Sequence, residues 1–476
     1  VKAISGLVTD VTGEPVIGAS VVEVGTTNGV ITDLNGKFSL KVAPNSQFLV
    51  SYIGYKQQTI KVGSESTYNI VLKEDAEVLD EVVVVGYGSQ KKVNVTGAVG
   101  MVSAEALEAR PVANASQALQ GVVPGLNLTV GNNGGALDGT LNMNIRGAGT
   151  IGDGSGSSPL VLIDGIEGDL NTVNPNDIES VSVLKDAASA SIYGARASFG
   201  VILVTTKSGK SGKTNVSYNG SARFSDAIGI PDIMDSYTFA QYFNRASANK
   251  GGGDIFAPAV MERIKAYQEG TLKATTVDNG AGIWQKWANA NGNTDWFEEF
   301  YDHWAPSQEH NLSINGGTDK TQYLISGSFL DQKGLMRHGS DKFQRYTLNG
   351  KITTAVTDWF KVTYSTKWTR EDFERPTYLT GSFFHNLARK WPVHPAYDPN
   401  GFPMDEGEVE QMENGGKQNS QKDFYTNQLQ LVFEPIKNWK INLEGSVRTT
   451  TQYQHWEVLP VYAYNVDGDP YYTVWD

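Results

Sequence analysis

Asn215-Val216-Ser217-Tyr218-Asn219-Gly220-Ser221-Ala222-Arg223-Phe224-Ser225 carries a strict two-residue alternation. Every odd position is polar, and the even positions are apolar or small. Successive side chains of a strand point to opposite faces, so this period predicts a strand with one wet and one greasy side. The pattern recurs in 342–354, where Tyr346, Leu348 and Ile352 alternate with Arg345, Thr347, Asn349 and Lys351. It recurs again in 359–370, where Phe360, Val362, Tyr364 and Trp368 alternate with Lys361, Thr363, Ser365 and Lys367. Weaker versions occupy 309–316, 322–331, 424–434 and 440–453, making seven strand candidates.

The intervals between them alternate as well. The segments 317–321, 355–358 and 435–439 are short, whereas 226–308, 332–341 and 371–423 are longer. An up-and-down transmembrane barrel with tight turns at one rim and larger loops at the other has this rhythm. Trp359 and Trp439 fall beside short turns, where an interfacial aromatic girdle belongs. A water-soluble sandwich also alternates, but it needs no Tyr, Phe and Trp on its outer face. Arg223, Lys351, Lys361 and Lys367 are expected to point inward. Seven strands do not close such a wall, so the chain reads as the first part of a longer product.

Composition agrees. Aromatics reach 10% at a mean hydropathy of only −0.32, as expected of strands with one polar face. No apolar run approaches the ~18 residues of a membrane helix, and the strand-like start at Val1 suits a processed, exported protein. A net charge of −13 argues against nucleic acid. The absence of cysteine excludes disulfides, thiolate metal sites and thiol nucleophiles.

Upstream of the wall lie two other regions. Residues 1–75 read as a small β-sandwich, with runs at Ile4–Val8, Ala19–Val24, Gly29–Thr32, Lys37–Val42, Phe48–Ile53 and Tyr68–Leu72. Asp10–Gly13 and Asp33–Gly36 look like hairpin turns. Residues 89–210 are rich in Gly, Ser and Asn, with strand pieces at Asn142–Arg146, Leu160–Ile163, Ser180–Leu184 and Val201–Thr205. One helix is expected over Ala187–Tyr193, capped by Asp186 and stopped by Gly194. A second is expected at Ala257–Tyr267 in the first long loop. The acids of 89–210, Asp153, Asp164, Glu167, Asp177 and Glu179, are expected to meet some of the inward cations of the strands.

Between the two regions runs Leu79-Asp80-Glu81-Val82-Val83-Val84-Val85-Gly86-Tyr87-Gly88. Four valines favour an extended backbone, and the flanking glycines break it. The segment is either a last strand of the sandwich or an extended peptide open to strand addition by a partner.

Other motifs carry no chemistry. Gly147–Gly152 matches GxGxxG, but the Gly/Ser run after it cannot open a helix on a pyrophosphate. Gly209-Lys210-Ser211 and Gly212-Lys213-Thr214 lack the upstream glycine of a phosphate-binding loop. The six histidines (His303, His310, His338, His385, His394 and His455) form no close metal pair. Asn465–Asp469 reads as a turn rather than a calcium loop. No nucleophile–base pair supports an enzyme, and no cofactor or metal is expected. The loop aromatics Trp284, Trp287, Trp296, Tyr301, Trp304, Trp391 and Tyr397 suit sugar stacking, partner packing or small loop cores.

Residues 1–72 resemble a carboxypeptidase-regulatory-like domain through Gly13–Ala19, Thr32–Phe38 and Ser51–Tyr55. Asp80–Gly88 looks like the TonB box of SusC/RagA-type TonB-dependent outer-membrane transporters of Bacteroidetes. Ala118–Leu126, Ile145–Gly147, Pro159–Gly165 and Ile178–Arg196 are similar to that family's plug. The resemblance implies a mostly β protein: a transthyretin-like, Ig-like sandwich (1–75), a TonB-box linker (76–88), an α+β plug (89–210) and the first strands of an antiparallel transmembrane barrel of about 22 strands. It implies import of a large nutrient, an oligosaccharide or in some members a peptide, at the outer membrane with the N-terminal domain in the periplasm. The implied partners are TonB, binding at Asp80, Glu81, Val82, Val83, Val84, Val85, Gly86 and Tyr87, and a SusD-like surface lipoprotein, with a possible dimer of such pairs. The plug motif residues are Arg146, Gly147, Asp164, Gly165, Tyr193, Gly194 and Arg196. Asn132, Asn133, Trp391 and Tyr397 are the expected substrate contacts.

Overall fold

The computed structural model describes residues 2–26, 28–44, 46–52, 55–73, 82–85, 88–91, 99–108, 110, 112–130, 137, 141–147 and 158–473. The chain divides into two units, 1–96 and 97–476.

In the first unit, β-branched runs broken by turn residues make two sheets. One has the order β4(Lys37–Val42)-β1(Lys2–Asp10)-β7(Thr67–Leu72), with β1 and β7 parallel. The other runs β3(Gly29–Ile31)-β2(Ser20–Glu23)-β5(Gln47–Ser51)-β6(Gln58–Lys61). Inward residues including Ile4, Val8, Val21, Phe38, Phe48, Val50 and Leu72 form the core between them. The turn at Asp33–Gly36 is tight, but it is not a hairpin. It joins β3 to β4, which belong to different sheets. Strand β6 has only one fully apolar residue, Ile60, which is why the sequence does not advertise it. A two-stranded ribbon pairs β8(Val82–Val85) with β9(Gly88–Lys91).

The second unit begins with the plug. Its five-stranded sheet has the order β10(Val99–Ser103)-β15(Ile178–Leu184)-β16(Val201–Thr206)-β13(Leu160–Ile163)-β14(Ile166–Glu167). Beside it lies a ribbon of β11(Leu126–Val130) and β12(Leu141–Ile145). The helices α1(Ala104–Glu108) and α2(Ala115–Leu119) complete a core around Leu107, Leu119, Leu170, Val181, Val183 and Ile202. The expected helix after Asp186 is shorter than its composition suggests. Asp186 caps α3(Ala187–Ala190) through Ser189 N–H at 2.7 Å, and a 3-10 turn, Ser191–Ala197, follows. Gly194 (φ 65°, ψ −153°) kinks that turn instead of ending a helix in the left-handed conformation.

The wall is a seven-stranded antiparallel sheet in strict chain order: β17(Gly212–Ser225), β18(Ala305–Gly317), β19(Thr321–Lys333), β20(Lys342–Thr357), β21(Phe360–Pro376), β22(Lys417–Ile436) and β23(Trp439–Trp456). Its strands run 13 to 20 residues, longer than the sequence windows, because polar alternation continues into both rims. Val216, Tyr218, Phe224, Leu312, Ile325, Leu348, Ile352, Leu429, Leu443 and Val447 stand exposed on one face. Ser307, Glu309, Asn311, Ser326, Arg345, Thr347, Ser365, Thr369 and Gln428 are buried on the other, against the plug. Trp359 and Trp439 are exposed beside the short turns, and Phe360 stacks on Phe433 at 4.5 Å there. No described helix is long and apolar enough to cross a membrane, which says nothing of crossing by strands.

At the far rim the long connections pack together. The first holds α4(Ser236–Asn249), α5(Pro258–Gln268) and α6(Trp296–Phe300), and the last holds α7(Gly381–Leu387) and α8(Val409–Asn414). Two loop cores result, one around Trp296, Phe300 and Phe383 and one around Phe256, Ile264 and Val393. Beyond the wall, β24(Val461–Tyr464) pairs with β25(Pro470–Thr473) in a hairpin. Asn465 Oδ1 accepts from Asp467 and Asp469 N–H in its turn.

The outward apolar face generates a direct expectation. Leu348→Arg in lipid vesicles should destabilise the folded wall by about 2–4 kcal/mol in denaturant titrations. An unchanged midpoint would place this face in water.

Candidate functional site

Two places gather chemistry: the seam between plug and wall, and a cleft among the long loops.

The seam centres on Asp164. It follows β13 with φ 50°, a backbone conformation unusual for a residue with a side chain, and Gly165 continues the turn at φ 87°. A Cβ on Gly165 would meet Glu444 of the wall at 3.4 Å, so both conformation and contact suit glycine. The turn drives the Asp164 carboxylate into the wall. Oδ1 accepts Thr206 N–H at 2.8 Å, Oδ2 accepts the Thr206 hydroxyl at 2.6 Å, and Lys367 donates to Oδ2. Lys351 stands 3.9 Å from Oδ1, and Gln428 donates to the Asp164 carbonyl at 2.8 Å. Burial pushes this carboxyl up, yet Lys367, Lys351 and the hydrogen bonds overcome that and hold it at about 2.

A second anchor is Arg345, fully buried on β20. Its guanidinium donates to the carbonyls of Ala113 (2.5 Å) and Asn171 (2.8 Å) and to Asn114 Oδ1 (2.9 Å). Asn349 donates to Asp177 at 2.5 Å, Asn174 donates to Asn311, and Arg448 donates to the Glu167 carbonyl at 2.7 Å. Burial raises the Asp177 carboxyl. No apolar cluster spans the seam among the described residues. Where the segment between β16 and β17 passes β19, a Cβ on Gly209 would fall 2.3 Å from Tyr323 N.

Of the expected inward cations, Lys367 and Lys351 reach the plug. Arg223 instead pairs with Glu309 on the neighbouring strand at 3.0 Å, and Lys361 is exposed near the start of β21. Among the plug acids, Asp164 and Asp177 meet the wall, Glu179 is exposed and Asp153 lies outside the described residues. Arg196 pairs with Glu167 within the plug, Tyr193 and Gly194 lie in the 3-10 turn, and Arg146 and Gly147 are exposed after β12. The seam thus gathers Asp164, Gly165 and, through Glu167, Arg196, but not Arg146. Of the TonB-box residues, Val82–Val85 form β8, while Asp80, Glu81, Gly86 and Tyr87 lie outside the described residues, as do Asn132 and Asn133.

The loop cleft is lined by Phe243, Trp287, Lys390, Trp391, Glu406 and Glu408, among others, with a volume of about 910 Å³. Lys286 bridges Asp405 and Glu406 at 2.7 Å each, and those carboxylates hold its ammonium above the usual range against burial. Lys390 is buried, 2.8 Å from Glu408 and 4.8 Å from the Trp296 ring; burial pulls its ammonium down. Trp287 stacks on buried His394, whose imidazole burial and Lys390 depress to about 3. Trp287, Glu406 and Glu408 all have positive φ (52°, 63° and 69°), strain gathered on one cleft. Trp391 forms part of its wall, packed on Phe239, Phe243 and Phe256. Tyr397 packs on the neighbouring core instead, and its carbonyl accepts from Thr275. Most loop aromatics are therefore core: Trp296 is fully buried, whereas Trp304 is 67% exposed. The site also contains Arg345, Asn349, Gln428 and His338, which the sequence motifs do not mark as site residues. The first three share the inward phase of their strands, a signal available to alternation, whereas nothing local marks His338. Among the described residues no group of three or more His, Asp or Glu side chains is placed to hold a metal ion.

Two family patterns match: the TonB-dependent receptor plug domain over residues 91–201 and the CarboxypepD_reg-like domain over residues 4–84. The TonB-dependent receptor SusC of Bacteroides thetaiotaomicron is 36% identical over 355 residues, covering 72% of this chain and 31% of the relative. The TonB-dependent receptor P39 of Formosa agariphila is 32% identical over 393 residues, covering 82% and 34%. The chain thus spans about a third of the length of these curated relatives. Among solved structures, the RagAB peptide importer in its open-open state superposes with a TM-score of 0.64 at 27% identity, covering 80% of this chain and 43% of that one. These relatives are receptors and importers, not enzymes. Sandwich, plug and partial barrel wall together place the chain in one family: it belongs to the SusC/RagA-type TonB-dependent receptors.

Proposed function

We propose that the chain is the plug-bearing part of an outer-membrane importer that takes up a large nutrient, energised by TonB. The observation that carries this reading is the polar seam: a folded stopper held to the wet face of a lipid-faced wall by a few charged and hydrogen-bonded contacts. The proposed division is a periplasmic sandwich (1–75), a TonB-box linker (76–88), the plug (89–210) and the wall with its outer loops (211–476). TonB captures Asp80–Tyr87 by strand addition and pulls. The short β8–β9 ribbon supports this reading, because the run already adopts an extended, pairable backbone and a lone hairpin is marginal in water. A SusD-like lipoprotein lids the barrel, and two such pairs form a dimer.

The substrate proposed is an oligosaccharide. In the loop cleft Asp405, Glu406 and Glu408 are already engaged by Lys286 and Lys390, which suits a neutral, hydroxyl-rich ligand laid against aromatic rings. A peptide is the second reading, favoured by the likeness to the RagAB peptide importer. Binding of glycan and peptide pools to the full-length protein separates the two. A surface receptor that does not transport would need no pulling segment.

Deleting 80–87 should abolish uptake while surface ligand binding persists; retained uptake would remove the TonB-box assignment. Asp164→Asn strips two wall lysines of their carboxylate, and loss of one partner of a buried pair costs about 3–5 kcal/mol. Limited proteolysis of the plug should be faster in that variant. The carboxyl is depressed when folded, so its contribution is full above about pH 4 and disappears as pH falls towards 2. Wild type should therefore show an acid step in plug protection that Asp164→Asn lacks. An identical step in both would assign it to other groups.

A further inference from the structure

His338 lies in the connection between β19 and β20, 6% exposed, with the Phe300 ring edge-on at 5.4 Å. Its Nδ1 is 2.7 Å from Glu413 Oε1 and its Nε2 is 2.9 Å from Glu299 Oε1. A neutral imidazole has one N–H and one lone pair. In either tautomer one carboxylate would then face a lone pair at hydrogen-bond distance. Only the imidazolium satisfies both contacts, because only it donates from both nitrogens.

The two carboxylates belong to elements that build the loop cleft. Glu299 is on α6, whose Trp296 lies against Lys390. Glu413 is on α8; the preceding residue Glu408 pairs with Lys390, and Gln411 on α8 lines the cleft. His338 itself comes from a third connection, so one ring ties together three loops, two of which also supply residues to the cleft.

We propose that His338 is a protonation switch for this cleft: charged, it clamps α6 to α8 and fixes the cleft walls, and loss of its proton releases α8. The proposal rests on the reading of the cleft as the ligand site and names its regulation. The groups facing the clamp from the elements around it are Glu299, Glu413, Tyr397 and Arg337, with Glu410 beside Glu413. Arg337 turns its guanidinium to the Tyr301 carbonyl at 3.2 Å, and burial followed by Glu299 raises the Tyr397 phenol to about 12, so it stays neutral. Burial alone would favour the neutral ring of His338, but Glu299 and Glu413 reverse that and raise its titration above the ordinary range. A raised value means the clamp is intact below about pH 6.5, the ordinary imidazole value, and weakens as pH climbs through the folded one.

The test uses the full-length receptor in lipid or detergent. Histidine C2-hydrogen exchange followed by mass spectrometry should give His338 a midpoint above about 6.5, and Glu413→Gln should lower it. Amide exchange over 409–414, corrected for intrinsic rate, should rise about tenfold as pH passes that midpoint. His338→Gln should show the fast exchange already at pH 6, with no further step. A midpoint at or below the ordinary value, or a His338→Gln protein as protected at pH 6 as wild type, overturns the switch. None of these readouts requires transport or ligand, so their failure is distinct from failure of the import reading.

Discussion

A carboxylate held between a threonine and two lysines fastens this plug to its wall. Asp164 is delivered there by a left-handed turn, and the Gly165 that follows lets the backbone come up against Glu444. The lysines come from neighbouring strands, β20 and β21, and share one side-chain phase. That phase follows from the alternation that also turns Leu348, Ile352 and Tyr364 outward. A one-residue slip of either strand would send its lysine to the apolar outer face and leave Asp164 buried with one cation fewer. Register, the outward apolar face and plug attachment are therefore a single constraint.

The seam's chemistry sets how the attachment can behave. Apolar burial resists separation in proportion to area and is indifferent to small shifts. Charged and hydrogen-bonded contacts are directional: they hold firmly in register and can be exchanged for water once displaced. Arg345 shows the design, its fully buried guanidinium reaching two plug carbonyls and one asparagine. Each domain keeps its own dry core, the plug around Val181 and Ile202 and the loops around Trp296 and Phe383. A pull on the plug would thus part the seam before it unpacked either side.

Much of this was legible in the chain because a period of two survives in sequence whatever the tertiary context. The seven wall strands, their alternating short and long connections and the inward lysines all follow from it. Turn chemistry was less decisive. Asp33-Leu34-Asn35-Gly36 makes the tight turn its residues demand, but local sequence cannot say whether the two strands it joins share a sheet. The helix after Asp186 has its cap, yet the chain passes into a 3-10 turn from Ser191, which Gly194 kinks. The loop site was hidden for a different reason. His338, Glu299 and Glu413 are far apart in the chain, and only the packing of three connections brings them to one ring. Trp391 and Tyr397 looked alike as loop aromatics, but they pack on different loop cores, and of the two Trp391 lines the cleft.

The proposed import requires the seam between plug and wall to open. In a full-length receptor cleared of other cysteines, Asp177→Cys in the plug and Asn349→Cys in the wall, whose native side chains touch, allow a reducible bridge across the seam. TonB-dependent uptake by the full-length receptor carrying that bridge, compared before and after reduction, is the most direct measurement. Uptake blocked when oxidised and restored on reduction, with ligand binding unchanged throughout, is the predicted result. Full uptake through the oxidised, bridged protein would contradict the account.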